Sequence, residues 1–207
     1  MPHPANRGPG LARLLRDRTA QAHHAVEASM RLDFSRPDAS EYLAVLNGLL
    51  IFHTAVAEFS RETVAKELGA DTALLNRTEA LRADVASMSA RLPAAEQVPA
   101  PHGPVFTNRL DGGREERIGA AYVAAGSVLG GRVIAADLAA CGCDFPRAFF
   151  SSDGLDLGRH WRRFKTALDV FGESGADSAR VVAGALAAFT LIRDILNRTD
   201  ASSGPVR

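Results

Sequence analysis

An apolar and almost uncharged segment, GAAYVAAGSVLGGRVIAADL at residues 119–138, decides which fold this sequence can adopt. Its length and composition predict a buried helix, yet it carries interior glycines at Gly126, Gly130 and Gly131. Each interior glycine costs a helix about 1 kcal/mol relative to alanine. Because Gly126 and Gly130 are four residues apart, they share one helix face. The segment therefore predicts a helix with a shallow trough, lined by backbone instead of side chains.

Two kinds of occupant could fill this trough. Small residues commonly allow a neighbouring helix to pack closely, and Ala120, Ala121, Ala124 and Ala125 extend the small-residue surface. A flat ligand could equally lie against the exposed backbone. The segment by itself leaves both interpretations open.

The composition is that of one soluble globular domain. The chain has 207 residues, of which 46% are hydrophobic and 23% charged, ordinary values for such a domain. Its 24 basic and 24 acidic residues cancel, which argues against nucleic acid as a partner because a nucleic-acid-binding surface is usually basic. The N-terminus lacks the apolar core of a signal peptide, and the most apolar stretch is interrupted by Arg132. We therefore expect a cytoplasmic protein that does not bind a membrane.

The two cysteines, Cys141 and Cys143, are separated by one residue. They are too close in sequence for an ordinary framework disulfide, and no second pair completes a zinc site. The sequence predicts free thiols near a helix end.

Apolar residues recur with helical period along most of the chain, and no segment shows the alternation of a strand. The fold class expected is all-α, a single-domain helical bundle. Asp38 or Ser40 should cap the second helix, which runs to about residue 66. The other helices are expected at about 11–31, 71–91, 115–141, 157–171 and 177–198, with short pieces at 106–109 and around Phe149 and Phe150. A leader at 1–10, a proline-rich connector at 93–103 and a tail at 199–207 complete the organisation, and the helical domain spans 11–198.

The first helix carries Thr19, His23 and Glu27 at intervals of four residues. A metal-binding imidazole usually donates its other ring N–H to an oxygen acceptor, so His23 with Glu27 one turn later suggests a metal ligand. The alternative is a surface ion pair. His24 is rotated by about 100° around the helix and is not expected to face the same site as His23.

Taken together, LLRDRTAQAHHAVE at residues 14–27 and YVAAGSVLGG at residues 122–131 resemble haem oxygenases, particularly the bacterial biliverdin-producing ones. The resemblance implies haem b held between the first helix and the trough helix, with His23 as the iron ligand. It further implies a catalytic distal helix at Gly126, Ser127, Gly130 and Gly131, and haem-binding roles for Arg16, Thr19, Glu27 and Arg162.

The implied reaction is oxidative opening of haem to biliverdin, carbon monoxide and iron, using dioxygen and electrons from a ferredoxin or a reductase. A photoreceptor that uses the bilin product is a further partner that the resemblance suggests. Animal members have an aspartate where this chain has Ser127, and a hydroxyl cannot supply that charge. One alternative is therefore a non-catalytic haem carrier or sensor, and another is a bundle that packs its trough against a helix.

Overall fold

The computed structural model describes residues 9–30, 32–69, 72–93 and 109–201, with side chains to residue 198. This part of the chain forms helices and no strand, which confirms the all-α class. The helices are α1 Leu11–Ser29, α2 Ala39–Leu68, α3 Thr78–Ser89, α4 Arg114–Ala140, α5 Ala148–Ser151, α6 Leu157–Glu173 and α7 Ser178–Ala201, with a 3₁₀ turn at Thr72–Leu74. The predicted leader up to residue 8, the connector at 94–103, the piece at 106–108 and the last six residues lie outside the described ranges.

The helix boundaries follow from local chemistry. The carboxylate of Asp38 accepts hydrogen bonds from the backbone N–H groups of Ser40 and Glu41, at 2.8 and 3.1 Å, so Asp38 is the N-cap of α2. Gly69 ends that helix in a left-handed conformation with φ of 51°, which glycine adopts without strain. The start predicted for the third helix, at about residue 71, is wrong. Residues 72–74 form a separate 3₁₀ turn, and α3 begins only at Thr78.

Helix α4 contains the glycine-rich segment and packs against α2, α5, α6 and α7. Its closest neighbour is α7, since a Cβ on Gly119 would collide with the backbone of Val181 and a Cβ on Gly184 would collide with that of Glu116. Arg180 on α7 also holds Glu116 through two bonds of 2.7 and 3.0 Å. Helix packing therefore explains the small residues at the N-terminal end of α4.

The short helix α5 is held in place by two charged side chains of the α3 region. Asp84 is 2% exposed, and its two oxygens accept the N–H groups of Ala148 and Phe149 at 2.9 and 2.8 Å. Arg77 donates to the carbonyl oxygens of the same two residues. This clamp fixes Phe149 and its neighbour Phe150 beneath α4.

The prediction of free thiols is wrong, because Cys141 and Cys143 form a disulfide. Gly142 between them has φ of 70°, and the turn that it makes brings the two Cα atoms to 5.4 Å. That separation lies within the usual range for a disulfide.

Two helices, α2 and α4, are long and apolar enough to cross a membrane by length and composition. Their most apolar windows of 18 residues are 72% and 56% buried within the fold. Burial of this kind is typical of core helices in soluble proteins, so the length of these helices is weak evidence for a membrane.

Candidate functional site

An apolar cavity of about 460 Å³ lies among the helices, within the size range of small-molecule and cofactor sites. Its two principal walls come from α1 and α4, with α2 and α7 at the sides. Most of its lining is hydrophobic: Ala20, Val26, Met30, Leu49, Phe52, Val123, Ile134, Phe149, Phe150, Phe189, Ile192 and Leu196. Such a cavity suits a large apolar ligand whose polar groups reach solvent.

On the α1 wall, the imidazole of His23 lies deeper in the apolar interior than that of His24. Its side chain is 58% exposed, against 79% for His24, and its ring meets that of Phe189 edge-on with centroids 5.9 Å apart. The Nδ1 atom of His23 lies 3.4 Å from Oε2 of Glu27. A neutral His23 whose Nδ1–H faces this carboxylate leaves Nε2 available to bind a metal.

The expectation that His24 cannot face the same site is wrong. Both histidines line the cavity, and Nδ1 of His24 is 3.1 Å from the same Glu27 oxygen. The rotation of 100° between neighbours is offset because the two side chains are long and the cavity is open at α1. His23, His24 and Glu27 consequently form a cluster whose ligand atoms all lie within 4.8 Å of one another.

The other two residues predicted on α1, Thr19 and Arg16, also line the cavity. The Thr19 hydroxyl donates to the carbonyl oxygen of Leu15 at 2.8 Å, so it is already engaged within its own helix. Arg16 is 72% exposed and stands near Tyr122, where its charge opposes the rise in the Tyr122 pKa that burial causes. Arg16 therefore places a positive charge at the cavity mouth.

On the α4 wall, the three predicted glycines differ in their surroundings. A Cβ on Gly130 would have no neighbour within 4 Å, and a Cβ on Gly126 would meet only the ring of Trp161, at 3.8 Å. A Cβ on Gly131, by contrast, would lie 3.1 Å from Cδ1 of Phe150. Packing accounts for Gly131, whereas Gly126 and Gly130 leave open space in the cavity.

Ser127 brings a hydroxyl to this wall. Its Oγ donates to the carbonyl oxygen of Ala124 at 2.9 Å and lies 3.0 Å from Nε2 of His53. The hydroxyl therefore lines the cavity, while its hydrogen-bonding partner His53 lies outside the cavity lining.

Arg162 is the one predicted site residue that the structure does not bring to the cavity. It is exposed on α6, and its Nη1 atom folds back to within 3.3 Å of the Cβ position of Gly158. Its neighbour Trp161 lines the cavity instead, with Nζ of Lys165 at 6.0 Å from the Trp161 ring centroid.

Sequence reasoning missed three residues that shape the site. His53 is buried on α2, and a histidine at a core position is itself a signal of a buried polar contact. The other two are Trp161 on α6 and Phe189 on α7, and both line the cavity. Aromatic side chains at a cavity wall have the same spacing as aromatic side chains in a core, so no sequence signal separates them.

The fold and the cavity together define a helical protein with a site for a flat, largely apolar ligand, in which an imidazole comes from α1 and bare backbone from α4. A family model described as "Heme oxygenase" matches residues 9–198. The chain therefore belongs to the haem oxygenase family: it binds haem and degrades it oxidatively. The alternative of a non-catalytic carrier is not favoured.

Two solved structures of similar fold are a haem oxygenase from Leptospira interrogans and one from the cyanobacterium Synechocystis, the latter in complex with haem. The Leptospira protein is 18% identical with a TM-score of 0.69, and the match covers 92% of this chain and all of the other. The Synechocystis protein is 16% identical with a TM-score of 0.69, and the match covers 93% of each chain. No curated protein sequence matches this chain.

Proposed function

We propose that the cavity between α1 and α4 is the place where haem would bind and be opened, and that Nε2 of His23 would hold the iron. The observation that carries this assignment is the open space at Gly130, where a side chain would have no neighbour within 4 Å. A glycine inside a helix without a packing reason lowers helix stability, and room for a ligand supplies the missing reason.

His23 and Glu27 act as a unit in this proposal. In the structure, Oε2 of Glu27 hydrogen-bonds to His24 and lies 3.4 Å from Nδ1 of His23. With haem bound, Glu27 would accept the Nδ1–H of His23, which would fix the tautomer, orient the ring and make Nε2 a better donor to iron. His24 competes for the same carboxylate and is more exposed, so we assign it no bond to iron.

On the opposite wall, Gly126 and Gly130 leave open space that haem and dioxygen would occupy, and Ser127 offers a hydroxyl within the cavity. Haem supplies the redox chemistry when bound, giving biliverdin, carbon monoxide and iron from dioxygen and added electrons. The apolar side chains that line the cavity would exclude bulk water, and Gly131 lets α4 pack closely on Phe150.

At the cavity mouth, Arg16 supplies the positive charge for the haem propionates, with Lys165 beside Trp161 as a second cation. Carboxylates pair well with arginine. Arg162 could join them only by swinging away from Gly158, so its part in haem binding is secondary in this proposal.

The remaining partners follow from the reaction. Ring opening consumes electrons that haem does not carry, so a ferredoxin or a reductase must dock near the cavity. We propose a soluble, cytoplasmic enzyme, supported by the burial of α2 and α4, and a bilin-using photoreceptor as one consumer of its product.

A haem titration followed by reduction under air tests the proposal. Binding should produce a Soret band, and reduction should replace that band with bilin absorption. The His23→Ala variant provides the comparison, because loss of the axial imidazole should remove the normal spectrum of the complex. A stable haem complex that never yields bilin would contradict the enzymatic assignment of this cavity.

A further inference from the structure

His53 is a buried histidine that lies directly behind the cavity wall. It belongs to α2, is 1% exposed, and does not line the cavity itself. Its ring packs edge-on against Phe149, with centroids 4.9 Å apart. Its Nε2 atom is 3.0 Å from Oγ of Ser127, so the imidazole touches the serine hydroxyl that lines the α4 wall.

The hydrogen bonds around Ser127 define the direction of this contact. The Ser127 hydroxyl donates its proton to the carbonyl oxygen of Ala124, at 2.9 Å. Because a hydroxyl has one proton, Oγ must then accept from His53, which requires the proton of the neutral imidazole to lie on Nε2. Nδ1 of His53 is buried without a hydrogen-bond partner. A buried N–H group without an acceptor is costly, so we infer that Nδ1 carries no proton.

Burial also keeps the imidazole neutral. Desolvation lowers the pKa of His53 to about 3, and the positive charge of Arg77 adds to this effect. Arg77 is held between Asp84 and the α5 carbonyl oxygens, so its charge stays near His53. A neutral His53 therefore persists across the pH range in which proteins normally work.

We propose that His53 is a positioning residue that makes the Ser127 hydroxyl a directed donor. The Nε2–H bond occupies one lone pair of Oγ and anchors the oxygen, so that the hydroxyl proton can turn between the Ala124 carbonyl oxygen and a ligand in the cavity. Without His53, the lone pair of Oγ that Nε2–H occupies would be open, and Oγ could accept from the same ligand instead of donating to it. This inference rests on the proposed function, in which the α4 wall faces haem.

The first test uses the protein without haem. Nitrogen-15 NMR of the imidazoles should show one histidine with a proton on Nε2, none on Nδ1, and chemical shifts that stay constant between about pH 8 and pH 5. In Ser127→Ala the Nε2 shift of that residue should change. A proton on Nδ1, or ordinary titration of His53, overturns the proposal whether or not the protein binds haem.

The second test uses the haem complex and a matched pair of variants. His53→Leu keeps the bulk but removes the donor, whereas His53→Gln retains a side-chain N–H. We expect His53→Leu to lower the turnover rate about three- to tenfold, the effect of one net hydrogen bond, while haem affinity stays within about twofold of the parent. His53→Gln should recover most of the rate.

A double-mutant cycle separates positioning from a general packing defect. In the Ser127→Ala background, His53→Leu should cause no further loss of rate, because the hydroxyl that His53 positions is already absent. An equal loss in both backgrounds, or a Gln variant no better than Leu, overturns the role of His53. Failure of the parent protein to bind haem would instead overturn the proposed function, since the NMR test does not depend on haem.

Discussion

Gly131 lies against Phe150, with its Cβ position 3.1 Å from Cδ1 and 3.3 Å from Cα of that residue, while the adjacent Gly130 faces open space. Two neighbouring glycines in one helix are therefore explained by different physical requirements. Gly131 permits close packing of α4 on α5, and Gly130 keeps part of the cavity empty.

This difference predicts that the same substitution affects stability differently at the two positions. Gly130→Ala should stabilise the haem-free protein by up to about 1 kcal/mol through helix propensity. Gly131→Ala should gain less or be destabilised, because overpacking costs about 1 to 3 kcal/mol. Urea unfolding of the two variants measures the contrast. Equal stability changes would mean that Phe150 yields easily to the added methyl group.

Gly130→Leu tests what the open space is for. The variant should fold and be no less stable than the parent without haem, since nothing lies within 4 Å of the added Cβ. It should fail to turn haem over, because the side chain occupies space that haem and dioxygen need. Bilin formation by this variant at the parent rate would show that α4 does not face the reacting part of haem.

Replacing each histidine of α1 in turn identifies the iron ligand. His23→Ala should abolish the axial-imidazole absorption spectrum of the haem complex, whereas His24→Ala should leave it nearly intact. Both rings reach Glu27, so the pair is matched in local environment and differs in exposure. The reverse pattern would transfer the ligand assignment to His24.

Glu27→Gln tests the carboxylate behind the imidazole. An amide oxygen can still accept from Nδ1–H, but without negative charge it accepts more weakly, so the iron–imidazole stretch in the Raman spectrum should shift. Mutating a residue that hydrogen-bonds to a metal ligand typically lowers metal affinity or activity by about 10- to 100-fold. Glu62→Gln, an exposed position on α2 outside the cavity, is the control. An unchanged stretch would reduce Glu27 to a surface ion-pair partner.

The two arginines proposed near the propionates also differ in the structure. Arg16→Ala should weaken haem binding by about 2- to 5-fold, as expected for an exposed ion pair of up to about 1 kcal/mol. Arg162→Ala should have a smaller effect, because that side chain lies over Gly158. Dissociation constants at low and high salt measure both effects. A larger loss from Arg162→Ala would show that this side chain moves to the cavity when haem binds.

The sequence predicted the helices and the main cavity residues because both depend on periodicity and on local spacing. The face shared by Gly126 and Gly130, and the ladder from Thr19 to Glu27, are properties of single helices. Some errors are local, namely the disulfide between Cys141 and Cys143 and the 3₁₀ turn at Thr72–Leu74, which helical periodicity does not encode. The others depend on contacts between distant segments or on side-chain reach. Only the fold shows that Gly131 meets Phe150, that His24 also reaches the cavity, and that His53 lies behind Ser127.

Burial of His53 also predicts how stability depends on pH. The folded chain holds this imidazole neutral, with a pKa of about 3, whereas the unfolded chain takes up a proton near the ordinary value of about 6.5. Between these two values the unfolded state binds more protons, so the free energy of unfolding should fall as the pH is lowered through this window.

The comparison of parent and His53→Leu isolates this contribution. Arg77 is the charged group that acts on His53 from the α3 side, and Asp84 acts in turn on Arg77. Both remain in the variant. Around pH 5, the parent should take up about one more proton on unfolding than His53→Leu does, as measured by urea unfolding across a pH series. Ser127→Ala keeps the imidazole buried and should retain the pH dependence of the parent. If parent and His53→Leu lose stability in parallel below pH 6, His53 is not held neutral in the folded protein, and the proton on Nε2 that anchors Ser127 loses its physical basis.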